Sequence, residues 1–269
     1  MRNKDQSVVQ SVERAMALLR VISEGNVSGT RLTDAARALD LSKSTTHRLL
    51  SALIAAGHIE QNAQTQRFHL GPEAIAMGVR AISRHNILDV ARPAMVRLAE
   101  RSADTVYLTV RTGLEAVCLA REEGSFPIKI LSLNVGTRRP LCVGAGNLSM
   151  LALLPDEDVE RALAIHGAAL GEQWNQHPDT VRELVSAARK QGHAFVAEVF
   201  VPGMAAVGVA LTGPDGVPFA ALSIASVPSR LQGERRTNIV TWLQKEVRLV
   251  EELNIASRRP VRALSAPTV

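Results

Sequence analysis

With 269 residues, 46% of them apolar and 21% charged, the chain has the make-up of a globular protein of one large domain or two ordinary ones. No apolar run approaches the roughly 18 to 20 residues of a membrane helix, so no membrane partner is expected. The first residues carry no apolar segment of the secretory kind, and the two cysteines, Cys118 and Cys142, form no CxxC, which excludes a disulfide framework or a four-cysteine zinc site and fits a reducing cytoplasm. The net charge of +5 is uneven: residues 1–84 hold 11 Lys/Arg against 7 Asp/Glu, residues 85–254 hold 17 against 19, and residues 255–269 hold three arginines and no acid. A basic N-terminal block on a near-neutral body points to an anionic polymer as partner of that block. Aromatics at 3% are too few for a protein that stacks on single-stranded bases.

The first predicted element is an amphipathic helix over residues 8–24, with Val12, Ala15, Met16, Leu19 and Ile22 on one stripe and Gly25 as its C′ residue. Thr33 is the expected cap of a short helix, Asp34 to Leu39, and Asp40-Leu41 form a tight turn. Ser42 caps a third helix that runs to about Ala56 and stops at Gly57. His58–Gln61 and Arg67–Leu70, around the polar stretch Asn62–Gln66, read as a hairpin. Three short helices and a hairpin outline a winged helix-turn-helix. A further helix is expected from Gly71 to about Ser83, with Ile75, Val79 and Ile82 on one stripe.

The second half mixes helices and strands. A helix over Val90–Arg101 holds Pro93 in its first turn, and strand patterns follow at Thr105–Val110, Ala116–Arg121 and Lys129–Leu133. Helical patterns return at Leu148–Leu154, Asp156–Ile165 and Thr180–Gln191. Two more strands, Ala205–Leu211 and Phe219–Ala225, are joined by the turn Gly213-Pro214-Asp215-Gly216, and a long helix from Glu234 to about Asn254 closes the region.

The third helix carries the strongest chemical signal. Thr46, Leu49, Leu50, Leu53 and Ile54 fall on one side, and Ser44, His47, Arg48 and Ser51 on the other, with no acid between Ser42 and Ala56. Hydroxyl, imidazole and guanidinium groups suit phosphates and base edges, whereas carboxylates would be repelled. Lys43, Ser44 and Thr45 stand at the helix start, where backbone amides favour phosphate. The candidate duplex contacts are therefore Ser42, Lys43, Ser44, Thr45, Thr46, His47, Arg48 and Ser51, with Arg67 from the hairpin. Farther on, Arg138 and Arg139 precede Pro140 in a loop and read either as carboxylate ligands or as a solvated pair. Gly144-Ala145-Gly146-Asn147 opens a helix whose amides could hold an anion, but it lacks the remaining glycine and acid of a dinucleotide site. Cys142 has no motif histidine beside it, the seven histidines fall in no zinc spacing, and GxSxG, P-loop and HExxH motifs do not occur. No enzyme activity, cofactor or metal is expected.

The segment Leu32–Leu53 resembles the DNA-reading half of the IclR family of bacterial transcription regulators. The similarity continues in order: Phe68-His69-Leu70-Gly71 resembles the wing exit, Val90-Ala91-Arg92-Pro93 with Leu98-Ala99 the start of the effector domain, and Thr105–Val110 its first strand. Gly136–Pro140 with Gly144 and Gly146 resembles the pocket loop, and Pro218–Ile224 a late strand. Asp40 departs from the usual glycine of the turn, a position that Asp tolerates. The stretch Val196–Gly203 keeps Glu198 but is more apolar than usual, and Ala225 replaces a second hydroxyl.

The resemblance implies an α+β chain with a winged helix-turn-helix over 8–71, a linker helix over 72–85, a GAF-like α/β effector-binding and oligomerisation domain over 86–258, and a disordered tail over 259–269. It implies a cytoplasmic, ligand-responsive regulator, expected to be a repressor, that binds a near-palindromic double-stranded operator as a homodimer or homotetramer. The competing class is a constitutive DNA-binding protein whose C-terminal domain only oligomerises. The effector positions that follow are Arg138, Gly144, Ala145, Gly146, Glu198, Met204, Ala206 and Ser223. Among the glycine-loop and late-strand positions Ser223 is the single polar side chain, which predicts a carboxylic acid with a sizeable apolar or aromatic body.

Overall fold

The computed structural model of the chain describes residues 2–85 and 87–257. The tail 259–269, residue 258 and the side chain of Ile82 lie outside the described residues. The chain divides into two units, residues 1–85 and 86–269. Among the described residues no helix is long and apolar enough to cross a membrane.

The first unit runs α1 (Arg2–Glu24), α2 (Leu32–Ala38), α3 (Lys43–Ala55), β1 (Ile59–Gln61), β2 (Phe68–Leu70) and α4 (Pro72–His85). Its core is small: Leu18 and Ile22 of α1 meet Ala35, Leu50 and Leu53 over Ile59 and Phe68 of the antiparallel hairpin. Thr30 adds a bridge to Phe68, so the wing carries a third short edge. Two expected caps differ. α2 starts at Leu32 behind Arg31, and no side chain caps it, so Thr33 lies inside the helix. Gly25 is not left-handed; the left-handed residue of the α1–α2 loop is Gly29 at φ 71°. What Gly25 supplies is room, since a Cβ there would lie 2.4 Å from Thr30 Oγ1.

The second unit is a six-stranded antiparallel sheet with helices on both faces. Its elements are α5 (Ile87–Ser102), β3 (Thr105–Thr112), β4 (Glu115–Glu123), β5 (Arg138–Pro140), α6 (Ala145–Ala152), α7 (Asp156–Trp174), α8 (Pro178–Gln191), β6 (Ala194–Ala197), β7 (Ala205–Thr212), β8 (Pro218–Ser226) and α9 (Gly233–Ser257). A single 3-10 turn, Pro228–Arg230, precedes α9. The strand order is β5-β4-β3-β8-β7-β6. Period-two alternation divides the core. Val106, Leu108, Val207, Val209, Leu222 and Ile224 face α5 and α9. Tyr107, Ala206, Ala221 and Ala225 face α6, α7 and α8. A register shift between Leu108 and Thr109 places a bulge in the β3–β4 pair, and across it the buried residues of β4 change from Ala120 on one face to Cys118 and Ala116 on the other.

Several expected boundaries move. Lys129–Leu133 is not a strand; it belongs to the loop between β4 and β5. Arg138 and Arg139 lie in β5, paired to β4, rather than in a loop. Pro93 sits inside α5 rather than in its first turn, which denies the Asp89 carbonyl its helical donor. Strand β6 at the sheet edge was not foreseen.

Candidate DNA-reading helix and ligand cavity

The turn that aims α3 depends on Asp40, held at φ 50°. Leu41 N–H reaches back to Ala36 O at 2.9 Å, and α3 then begins behind Ser42, whose Oγ accepts from Thr45 N–H at 3.1 Å. The cap hydroxyl is also within 2.9 Å of Thr45 Oγ1 and 3.0 Å of Ser44 Oγ. Ser42, Lys43, Ser44, His47, Arg48 and Ser51 are exposed and Thr45 is half-buried. No carboxylate lies on α3. Thr46 is different: it is fully buried, and its hydroxyl donates to Ser42 O at 3.0 Å, so it packs the helix against the core and is not available to a duplex. Arg67 is also committed. Its guanidinium donates to the carbonyls of Gly29 at 2.8 Å and Ser28 at 3.3 Å, which ties the wing to the α1–α2 loop.

In the second unit, alternation along three strands builds a cavity under the start of α6. Tyr107 of β3, Ser223 of β8 and Gly208 of β7 pair in one row across the sheet, with Ala206 and Ala225 in the next. α6 is buried along its whole length and starts behind Gly144 at φ 94°, a conformation costly for any residue with a Cβ. It lies directly on the sheet, because a Cβ on Gly208 would be 2.4 Å from the backbone of Ala145 and Gly146. The cavity, about 40 Å³, is lined by Tyr107, Thr109, Ser132, Leu133, Arg139, Val143, Gly144, Ala145, Gly146, Asn147, Met204, Ala206, Ser223 and Ala225.

Five expected positions come together there: Gly144, Ala145, Gly146, Met204 and Ala206, with Ser223 as a sixth. Two do not. Arg138 is exposed and engaged by Thr112 Oγ1 at 2.8 Å and Glu115 at 3.1 Å. Glu198 is exposed, left-handed at φ 58°, and outside the lining; its N–H donates to Met204 O at 2.7 Å. Neighbouring residues alternate across β5, so the arginine of the cavity is Arg139. Its guanidinium donates to the carbonyl of Ser132, and burial lowers its pKa from the ordinary arginine value. It remains a cation, because arginine stays protonated in proteins.

The lining is also more polar than the late strands alone suggest. Asn147 donates to Pro140 O at 3.1 Å, and Ser132 Oγ lies 3.3 Å from Met204 Sδ. The Tyr107 hydroxyl donates to Ile130 O, and burial pushes it up to about 12. Thr109 Oγ1 is buried with no hydrogen-bond partner among the described residues. Tyr107 and Thr109 were legible in principle, since they share one face of a strand whose other face holds Val106 and Leu108. Among the described residues no group of three or more His, Cys, Asp and Glu could hold a metal. Cys118 and Cys142 are buried thiols pushed up to about 11 by burial, which leaves them protonated and poor nucleophiles at neutral pH.

Two family models match the chain: the IclR helix-turn-helix domain over residues 11–63 and the bacterial transcriptional regulator IclR C-terminal domain over residues 79–251. The chain is similar to the transcriptional repressor IclR of Escherichia coli K12, 29% identical over 247 residues that cover 90% of this chain and 89% of that protein. It is 30% identical over 236 residues to the transcriptional repressor AllR of Salmonella typhimurium, covering 86% and 84%. Among solved structures, an IclR transcriptional regulator from Silicibacter sp. TM1040 superimposes with a TM-score of 0.79 at 24% identity, over 91% of this chain and 96% of that one. An IclR homologue from Microbacterium hydrocarbonoxydans, solved with 4-hydroxybenzoate, gives 0.74 at 22% identity, over 92% and 100%. These relatives are transcription regulators rather than enzymes. With both halves matched in order, the chain belongs to the IclR family of DNA-binding bacterial transcriptional regulators.

Proposed function

We propose that the chain is a ligand-responsive repressor, with residues 8–71 as the DNA-binding domain, 72–85 as a linker helix and 86–258 as the effector-binding and oligomerisation domain. The observation that carries the DNA half of this reading is the acid-free, exposed face of α3. Lys43 and Arg48 contact phosphates, Ser44, His47 and Ser51 reach base edges, and Ser42 and Thr45 hold the helix start. Arg67 orients the wing through its carbonyl contacts. A single copy reads half a site, so a near-palindromic operator calls for a dimer or tetramer. Exposed Val12 and Met16 on α1 and exposed Ile75 on α4 offer apolar surface for self-association.

The cavity under α6 is the effector site in this reading. Arg139 is a half-buried cation with no ion pair to a described carboxylate, and Ala145, Gly146 and Asn147 at the α6 start line the same space, where the free amides of a helix start favour an anion. Leu133, Val143, Met204, Ala206 and Ala225 supply apolar surface, which fits a carboxylic acid with an apolar or aromatic body. The relative solved with 4-hydroxybenzoate holds a ligand of that class. Differential affinity of the acid for two arrangements of the DNA-reading heads then shifts operator binding.

Two measurements test the reading. In operator binding followed by fluorescence anisotropy, Arg48→Ala and Lys43→Ala weaken affinity and each lower the log–log salt slope by about 1; unchanged affinity and slope in both would remove α3 as the reading element. Calorimetric titration against aromatic, acyl and small oxo acids should show binding that Arg139→Gln abolishes and that Ser223→Ala weakens. Binding confined to the smallest oxo acids would defeat the apolar-body assignment, and operator affinity indifferent to every bound acid would favour the constitutive alternative.

A further inference from the structure

Thr109 is out of keeping with its surroundings. It is 3% exposed, and its hydroxyl is a buried polar atom with no partner among the described residues. Leaving such a group unpaired is unfavourable, and valine has the same shape without the hydroxyl. Its neighbours do not serve it. Cys118, opposite on β4, turns its thiol to Ala120 O at 3.6 Å, and the β3–β4 bulge falls between Leu108 and Thr109, where a bulge re-aims side chains. The hydroxyl faces the start of α6: a Cβ built on Gly146 would stand 3.4 Å from Thr109 Oγ1 and 3.3 Å from Ser223 Oγ. Two hydroxyls from neighbouring strands thus meet at the glycine end of the cavity, whereas Arg139 is held at the Ser132 end.

We propose that Thr109 is a specificity-determining residue: the effector carries, besides its carboxylate, a second hydrogen-bonding group, a hydroxyl or oxo oxygen, that Thr109 Oγ1 receives beside Gly146. This rests on the reading of the cavity as an acid-binding site and narrows it to hydroxy- and oxo-substituted acids. A bare acid of the same skeleton leaves the buried hydroxyl unpaired, and a site built around a hydrogen bond rejects a ligand that lacks the matching group.

The test is calorimetric titration of the full chain with matched probes: benzoate against 3- and 4-hydroxybenzoate, and butanoate against 3- and 4-hydroxybutanoate. The wild-type chain should bind at least one hydroxylated member about tenfold or more tighter than its parent. Thr109→Val should erase that preference while still binding the parent acid, and Thr109→Ser, which keeps the hydroxyl, should retain it. Parent and hydroxylated acids of equal affinity in the wild-type chain overturn the inference. So does a preference that survives in Thr109→Val. In both cases loss of binding in Arg139→Gln would leave the cavity reading intact. Binding of no probe by the wild-type chain, or binding untouched by Arg139→Gln, overturns the cavity reading and the inference with it.

Discussion

At the scale of single residues, the sequence is most legible where backbone chemistry leaves few choices. Asp40 was expected to take a left-handed turn in place of a glycine, and it stands at φ 50°. Asp40→Gly should therefore raise the stability of the first unit by up to about 1 kcal/mol in urea denaturation, whereas Asp40→Val should lower it. Arg138 and Arg139 were not separable in sequence, because what distinguishes them is the pleat of a three-residue strand whose pairing is long-range. The Thr109 hydroxyl is a related case: its place on the cavity face follows from strand alternation, but nothing local in the sequence says that it lacks a partner among the described residues. The buried acids of the second unit predict a pH response. Burial holds the thiols of Cys118 and Cys142 at about 11 and the Tyr107 phenol at about 12, against ordinary values of 9.0 and 10.0. Arg121 and Arg139 favour the anions of Cys118 and Tyr107, but burial outweighs them. Below pH 9 these groups are neutral in both states and their contribution is complete. Above it the unfolded chain ionises first, so stability falls as pH rises from 9 through 12. Urea midpoints at pH 8 to 11 should decline, and Cys118→Ala with Cys142→Ala should flatten the decline; midpoints identical in wild type and double variant would contradict the assignment.

Elements with local determinants read well, and those without them did not. Ser42 caps α3 through Thr45 N–H, and the Gly213–Gly216 turn closes by a 2.9 Å bond from Gly216 N–H to Gly213 O. Lys129–Leu133 has the apolar, short-run make-up of a strand, yet the chain there is tied by side chains instead: Tyr107 donates to Ile130 O and Arg139 to Ser132 O. Tyr107 lies 23 residues from its acceptor, and Arg139, though only seven residues from Ser132, is aimed by the pairing of β5 with β4, so the pattern alone could not reveal either donor. Likewise α6 owes its place to Gly208, an unremarked position inside β7, which lets the strand backbone touch Ala145 and Gly146. Its other end is held by Arg189 of α8, which donates to Ala152 O and Leu154 O at 2.8 Å. Gly208→Ala puts a methyl group 2.4 Å from that backbone, where nothing can rotate away. The expected cost is about 2 kcal/mol in denaturant unfolding, with weakened acid binding because the amides of the α6 start are displaced. A variant of wild-type stability and affinity would mean that α6 can shift freely over the sheet, and the cavity would then not be preorganised.

For the whole molecule, the composition break near residue 84 and the division at residue 85 have one physical basis. The small core of α1, α2, α3 and the hairpin includes no residue beyond Leu70, and the two larger clusters lie entirely between Ile87 and Val250. The second unit also carries its own polar clasp. Asp104, just ahead of β3 and 3% exposed, accepts from Ser226 Oγ at 2.7 Å, Arg230 Nε at 2.9 Å and an Arg235 guanidinium nitrogen at 3.0 Å, joining the approach to β3 with β8, the 3-10 turn and the start of α9. Removing one partner of such a buried group is costly, so the clasp ties these elements into one cooperative body. A fragment of residues 86–258 should therefore fold with a single denaturant transition, self-associate, and bind the same acids as the full chain within about threefold, since every cavity residue lies inside it. It should show no operator binding, because the acid-free helix and the basic excess lie upstream. Gel shift, calorimetry and sedimentation on this fragment check the three claims. Operator binding retained by the fragment would move the DNA-reading element out of α3. Loss of acid binding in a folded fragment would place part of the effector site in the first unit. Melting of the fragment together with Asp104→Asn, at a midpoint below that of the unaltered fragment, would tie its independence to the clasp.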